Sequence, residues 1–187
     1  CDVKGIAKED LKETCCETCI VETQIQKQAS RNDKMHDKNS GKAKMHIRPG
    51  KVDYYLDIAK TVSRRSTCLR RRFGAVIVSK TDKIISTGYN GAIRKAKDCT
   101  EIGKCMREAL NIPPGQRYEL CKSFHAEQNA IMSADPIERR GATIYLYGEM
   151  ADGTPSYCEP CMMCKRAIVQ AELGKVIGRQ PDGVIKE

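Results

Sequence analysis

Residues 157–166 read YCEPCMMCKR, with cysteines at 158, 161 and 164. Three thiols spaced three apart hold two overlapping C-x-x-C pairs, and the pair in use decides what the fold must bring to it. Proline is tolerated at the first helical position, so Pro160 is expected to open a helix running to about Ala171. Cys161 and Cys164 then share one face, about one turn apart, at the positive helix end that favours thiolates. Cys158 precedes the proline and falls outside that register. Cys161 with Cys164 is therefore the working pair, and Cys158 a bystander. The plain alternative is three small half-buried residues at a helix start.

Working outward, GATIYLYG (141–148) has the pattern of a buried strand, and FHAEQNAIMSA (124–134) has helix-forming composition. FGAVIVSK (73–80) and KIISTGYNG (83–91) are β-rich runs joined by Thr-Asp, which predicts a hairpin. DYYLDIAKTVSRR (53–65) places Tyr55, Leu56, Ile58, Ala59 and Val62 on one side of a helix. GKVIG (174–178) is a short last strand. Residues 92–121 form a long, loop-rich insertion carrying three cysteines. Helices between the later strands predict a layered α/β domain on a mixed sheet.

The first 50 residues differ. Leu11, Cys15, Cys19 and Ile20 recur at roughly helical spacing, which predicts a short helix within residues 1–26. Residues 27–50 are polar and aperiodic, as expected of a linker or disordered tail. The expected organisation is a polar extension over 1–50 and a catalytic domain over 51–187. The C-x-x-C formed by Cys16 and Cys19 has no partner ligands nearby and reads as incidental.

Composition bounds the function. Two Phe and no Trp imply an aliphatic core. Eleven cysteines is a high, odd count, and CDVKGIAKED does not resemble a signal peptide, although the chain opens on Cys1 rather than Met. No apolar run approaches the ~18 residues of a membrane span. The expectation is a cytoplasmic protein with reduced thiols, in which clustered cysteines mean metal more often than disulfide. The net charge of +9 suits a phosphorylated or polyanionic partner, though such an excess is common on plain soluble surfaces.

A catalytic zinc wants three protein ligands and an open position. The chain has three histidines, and His36 and His46 lie in the tail. His125 remains. In a regular helix it would point away from Glu127, two residues on. At the very start of a helix, with non-helical backbone, both could reach one site. A metal held by His125, Cys161 and Cys164 would leave Glu127 free as a proton carrier for metal-assisted hydrolysis.

His125-Ala126-Glu127 followed by Pro160-Cys161-Met162-Met163-Cys164 matches the H-x-E…P-C-x-x-C pattern of zinc nucleobase deaminases. With STCLRRRFGAVIV, IISTGYNG, CMRE, ELCKSFHAEQNAI and GATIYL, the chain resembles the deoxycytidylate (dCMP) deaminase branch of the zinc-dependent cytidine/deoxycytidylate deaminase family. The resemblance covers roughly residues 52–180. It implies a three-layer α/β/α cytidine deaminase-like fold with a mixed five-stranded sheet, and hydrolysis of a cytosine nucleotide to ammonia and the uracil product.

By the same resemblance, His125, Cys161 and Cys164 would hold a zinc ion. Glu127 would protonate the ring nitrogen and later the leaving ammonia. Asn90 and Ala126 would contact substrate, Asn90 at the sugar; the other reading of Asn90 is a turn residue tolerating unusual backbone angles. Arg70, Arg71, Arg72, Arg94 and Lys95 are candidates for a substrate phosphate. Cys68, Cys99, Cys105 and Cys121 could close a second, structural zinc site ordering the insertion. The expected partners are a small-molecule nucleotide and further copies of the chain, with no membrane.

Two departures bear on the substrate. EMADGTPSY (149–157) lengthens the passage into P-C-x-x-C, and GYNG is followed by Ala-Ile-Arg-Lys rather than Ala-Pro and a small residue. The rival readings are a deaminase acting on a base in RNA, such as tRNA adenosine, and a non-catalytic zinc-stabilised DNA-binding or competence-associated protein. An unliganded Glu127 beside the metal speaks against the latter.

Overall fold

The computed structural model describes residues 47–187. The helix expected within residues 1–26, Cys16 and Cys19, His36, His46 and most of the predicted linker lie outside the described residues. No helix among the described residues is long and apolar enough to cross a membrane.

Helix α1 (Lys51–Ser63) buries Tyr55, Leu56 and Ala59, the stripe its spacing predicts. Strands β1 (Arg71–Val78) and β2 (Ile84–Tyr89) form the expected antiparallel hairpin. Its turn is closed by Asp82, which takes the left-handed φ of 67°. Tyr55 donates to the Asp82 carboxylate at 2.9 Å, tying α1 to this turn. Strand β5 (Thr143–Met150) runs antiparallel to β1 from Arg71 opposite Met150 to Val78 opposite Thr143. Helix α5 (Met162–Gln170) is the crossover that lets β6 (Lys175–Arg179) pair parallel to β5. The sheet order is β2-β1-β5-β6-β7, with the two-residue β7 (Ile185–Lys186) antiparallel at the edge.

Alternation along β1 and β5 divides the core between two faces. Val76, Val78, Tyr145 and Tyr147 pack under Leu56 and Ala59 of α1. Ala75, Ile77, Ile144 and Leu146 pack under α4 (Ala126–Ser133) and α5, against Ala130, Ile131 and Ile168. The result is the three-layer α/β/α arrangement on a mixed five-stranded sheet. Leu56, Ile77 and Ile144 are fully buried, each contributing about 1.5–3 kcal/mol of transfer free energy.

The insertion is more ordered than its sequence suggests. Its ends are pinned by a two-residue ladder, β3 (Gly91–Ala92) with β4 (Ser123–Phe124). Between them lie two single-turn helices, α2 (Cys99–Ile102) and α3 (Met106–Ala109), and a 3-10 turn at Tyr118–Leu120. Asp98 and Glu101 cap α2 reciprocally.

Two glycines admit helices onto the sheet at backbone contact. A Cβ at Gly74 would stand 2.0 Å from the Ala59 carbonyl of α1, and one at Gly88 would stand 2.3 Å from the Ala126 carbonyl and 2.4 Å from the Ala130 nitrogen of α4. Gly88→Ala should therefore push α4 off β2 and cost about 1–3 kcal/mol or more. Chemical denaturation checks this; an unchanged midpoint would mean that α4 does not rest on β2 there.

Candidate active site

Chain order places His125 directly after β4 and directly before α4. It is the N-cap of α4, with extended φ and ψ of −76° and 150°. The side chain thus leaves the helical register, and His125 and Glu127 both line one cavity of about 190 Å³. Cys161 is likewise the N-cap of α5, with φ −65° and ψ 166°, so the helix begins at Met162. Pro160 precedes the cap and is not the first helical residue, as the sequence reading had it. Cys161 and Cys164 still come together, as N-cap and third helical position, because a cap side chain folds over the first turn.

Neither cap makes a side-chain capping bond. A Ser or Asp in such a place contributes about 0.5–2 kcal/mol, and both helices forgo it. Instead His125 Nδ1 lies 3.5 Å from Cys161 Sγ and 3.3 Å from Cys164 Sγ. Among the described residues, these three form the group whose potential ligand atoms all lie within 4.8 Å of one another.

Burial tunes two of the donors, His125 and Cys164. It lowers the His125 pKa, the Glu127 charge opposing that effect, so the imidazole keeps a lone pair free. Cys164 is fully buried, and its thiol is pushed far up by burial first and then by the Glu127 carboxylate and Cys161. A thiol so placed ionises only when a cation takes the proton's position, and metal ligation requires that exchange. One imidazole and two thiols also form the donor set zinc takes, with a fourth position left open by three protein ligands. The residues fit the ion.

Cys158 does not join them. It is buried in the core, its thiol donates to the Ser156 carbonyl at 3.3 Å, and burial pushes its pKa up to about 11. Its carbonyl and Cβ press on β6 at Gly178, which has no room for a side chain.

Glu127 is buried in the same cavity, 9% exposed, and lies in the first turn of α4. Ala126 is buried in the wall beside it. Asn90 is buried too, with its amide engaged on β1: Oδ1 accepts from Phe73 N at 2.7 Å and Nδ2 donates to the Arg71 carbonyl at 2.8 Å. It is not among the positive-φ residues, so its turn reading fails while one amide hydrogen stays free for a ligand.

Of the five candidate cations, Arg70 and Arg71 line the cavity. Arg70 is paired with Glu108 at 2.9 Å and Arg72 with Glu149 at 3.4 Å, whereas Arg71 has no ion pair among the described residues. Cys68, Cys105 and Cys121 lie on the cavity wall, and Cys99 is buried. The Cys99 thiol is raised by burial and then by its three cysteine neighbours, so the four are close, but not at the 4.8 Å spacing of the first group. The sequence reading missed Arg107 and Tyr118 on the same wall. Their contacts are made across the insertion and leave no periodic signal.

The family described as cytidine and deoxycytidylate deaminase zinc-binding region matches residues 49–179. The chain belongs to this family. It is 34% identical over 131 residues to the deoxycytidylate deaminase of Schizosaccharomyces pombe, covering 70% of this chain and 37% of that one. It is 33% identical over 135 residues to the deoxycytidylate deaminase of Mycobacterium phage D29, covering 70% of this chain and 94% of the phage protein. The chain thus spans under two-fifths of the length of its Schizosaccharomyces relative. Among solved structures, the dCMP deaminase of cyanophage S-TIM5 in apo form shares 27% identity, with 71% of this chain and 85% of that one covered and a TM-score of 0.48.

Cys158→Ser should leave bound zinc unchanged, whereas Cys161→Ser or Cys164→Ser should lower it. Metal analysis of the purified variants checks this, and loss of zinc in Cys158→Ser alone would reverse the assignment.

Proposed function

We propose that the protein is a zinc-dependent hydrolytic deaminase converting dCMP, or a close cytosine nucleotide, to dUMP and ammonia. The observation that carries this reading is the His125–Cys161–Cys164 donor group beside a buried carboxylate that is not one of its members. His125, Cys161 and Cys164 would hold the ion, which when bound supplies Lewis acidity that brings the pKa of water toward about 7.

The chain's own residues do the rest. Glu127, shielded in the cavity, takes a proton from the attacking water and gives it to the cytosine ring nitrogen. It then takes the proton of the hydroxyl added at the amine-bearing carbon and delivers it to the departing amine, so that C–N breaks as C=O forms and ammonia leaves. Asn90 offers its remaining amide hydrogen to the sugar, and the backbone N–H of Ala126, a first-turn donor without an intrahelical acceptor, faces the base. Arg71, free of a carboxylate partner, is the cation best placed for the phosphate. The relatives' names, deoxycytidylate deaminase, support the mononucleotide over a base in RNA, and neither rival reading is favoured.

Glu127→Gln should keep zinc and fold but lose about 10²–10⁴ in rate. The assay is ammonia release from a panel of cytosine and adenine nucleotides, with short RNA included. Turnover of dCMP by the wild-type chain, and its loss in the variant, is the expected result; near-wild-type turnover by a metal-replete Glu127→Gln would remove Glu127 from its role.

A second ion at Cys68, Cys99, Cys105 and Cys121 belongs to the same reading. It would tie the insertion to the cavity wall, with small movements of the four thiols to reach one centre. Freshly purified protein should then carry two zinc ions per chain, and Cys99→Ser should lose one while unfolding more easily. One zinc per chain, unchanged in Cys99→Ser, would eliminate the second site. The cytoplasm suits a chain whose described cysteines are all free. The exposed Met162 and Val169 on α5 support a homo-oligomer.

A further inference from the structure

The His125 ring has a neighbour with no part in the chemistry above. Tyr118 stands almost perpendicular to it, with ring centroids 5.0 Å apart and planes at 88°. Over the Tyr118 ring lies Arg107, its guanidinium carbon 4.8 Å from the ring centre. Both residues come from the cysteine-bearing insertion.

Arg107 is an unusual cation. It is 6% exposed, and among the described residues no carboxylate lies within ion-pair distance, although its neighbour Glu108 pairs with Arg70. One of its terminal nitrogens donates to the Pro113 carbonyl at 2.7 Å, while the buried Nε has no partner. A buried guanidinium without an anion is costly, so the face of Tyr118 is a main compensation. Tyr118 in turn is held against backbone strain. Arg117 before it takes φ 46° and ψ 53°, a left-handed conformation disfavoured outside glycine.

Metal-binding histidines almost always donate their second ring nitrogen to a carboxylate or carbonyl, which fixes the ring's orientation. Here Nδ1 faces the two thiols, and among the described residues no protein acceptor meets Nε2. Packing must set the ring plane instead. We propose that Arg107 is a positioning residue: through the Tyr118 ring it holds the imidazole of His125 with Nδ1 aimed at Cys161 and Cys164. The inference rests on His125 being a metal ligand, as in the proposed function, and not on the identity of the substrate.

The test uses the full zinc-loaded chain without substrate. Zinc transfer to a chromophoric chelator is timed for Arg107→Met, Arg107→Lys, Tyr118→Ala and Tyr118→Phe, counting the fraction of zinc that Cys161→Ser lacks. The visible spectrum of cobalt-substituted protein reports ligand geometry independently. Arg107→Met and Tyr118→Ala should each release that zinc about 10–100-fold faster and alter the cobalt bands. Arg107→Lys, which keeps a cation over the ring, should restore part of the loss, and Tyr118→Phe, which keeps the ring, should match wild type. The Arg107→Met/Tyr118→Ala double variant should be no worse than the more severe single one. If Arg107→Met fails to fold, Tyr118→Ala and Tyr118→Phe still decide the role of the ring, and Arg107→Lys that of the cation. Wild-type release and spectrum in a folded Arg107→Met or Tyr118→Ala would overturn the proposal, as would additive effects in the double variant. A wild-type chain holding no zinc in the Cys161-dependent fraction would overturn the ligand assignment itself.

Discussion

The backbone of α4 rests directly on β2 at Gly88, and the candidate site depends on that contact. With the Ala126 carbonyl so near the position a Cβ would occupy, the first turn of α4 is fixed to the sheet rather than floating on side chains. Ser86 donates to the Ala130 carbonyl at 2.8 Å and Asn129 to the Tyr89 carbonyl at 2.7 Å, which fixes the helix along and across the strand. His125 and Glu127 sit at the end of the helix so anchored. On the same face of the sheet, α5 reaches them because the β5–α5–β6 crossover starts at the same end of the strands. The two helices thereby pack on one floor that includes Ala75, Ile77 and Leu146, with their starts at the same end of it.

This meeting breaks local rules on both sides. The caps of α4 and α5 are His and Cys, neither with a capping bond, and the thiol between them is buried beside a carboxylate. Taken alone, each feature destabilises the fold. Together they make sense where a cation is expected: the burial and then the Glu127 charge that raise the Cys164 thiol, the burial that lowers the His125 pKa and helix ends lacking caps all favour the metal-bound form over the empty one. Local consistency is given up at the site and kept elsewhere, as functional positions commonly require.

Much of this was legible in the residues. The β-rich runs 73–80 and 83–91 joined by Thr-Asp gave the hairpin, because β-branched residues fill both buried faces of β1 and the turn residues separate them from β2. The stripe of α1 was legible because one side of that helix is buried and the other is exposed. The donor set followed from needing three ligands when only one histidine lay near the paired cysteines. Pro160 misled by two positions, since Cys161 keeps an extended ψ as the N-cap and the helix begins only at Met162. The single-turn helices of the insertion are too short for periodicity, although the capping box of Asp98 and Glu101 was a local sign of α2. The two residues of β7 carry no pattern at all; the five-strand count came from the family resemblance. Arg107 and Tyr118 were invisible because their meaning lies in contacts with a ring elsewhere in the chain.

Anomalous scattering at the zinc edge, from crystals of the full chain, tests the central claim most directly. The account predicts a peak within bonding distance of His125 Nδ1 and the sulfurs of Cys161 and Cys164, with the Glu127 carboxylate outside bonding distance. A peak bonded to Glu127 or Cys158, or none beside His125, would contradict it.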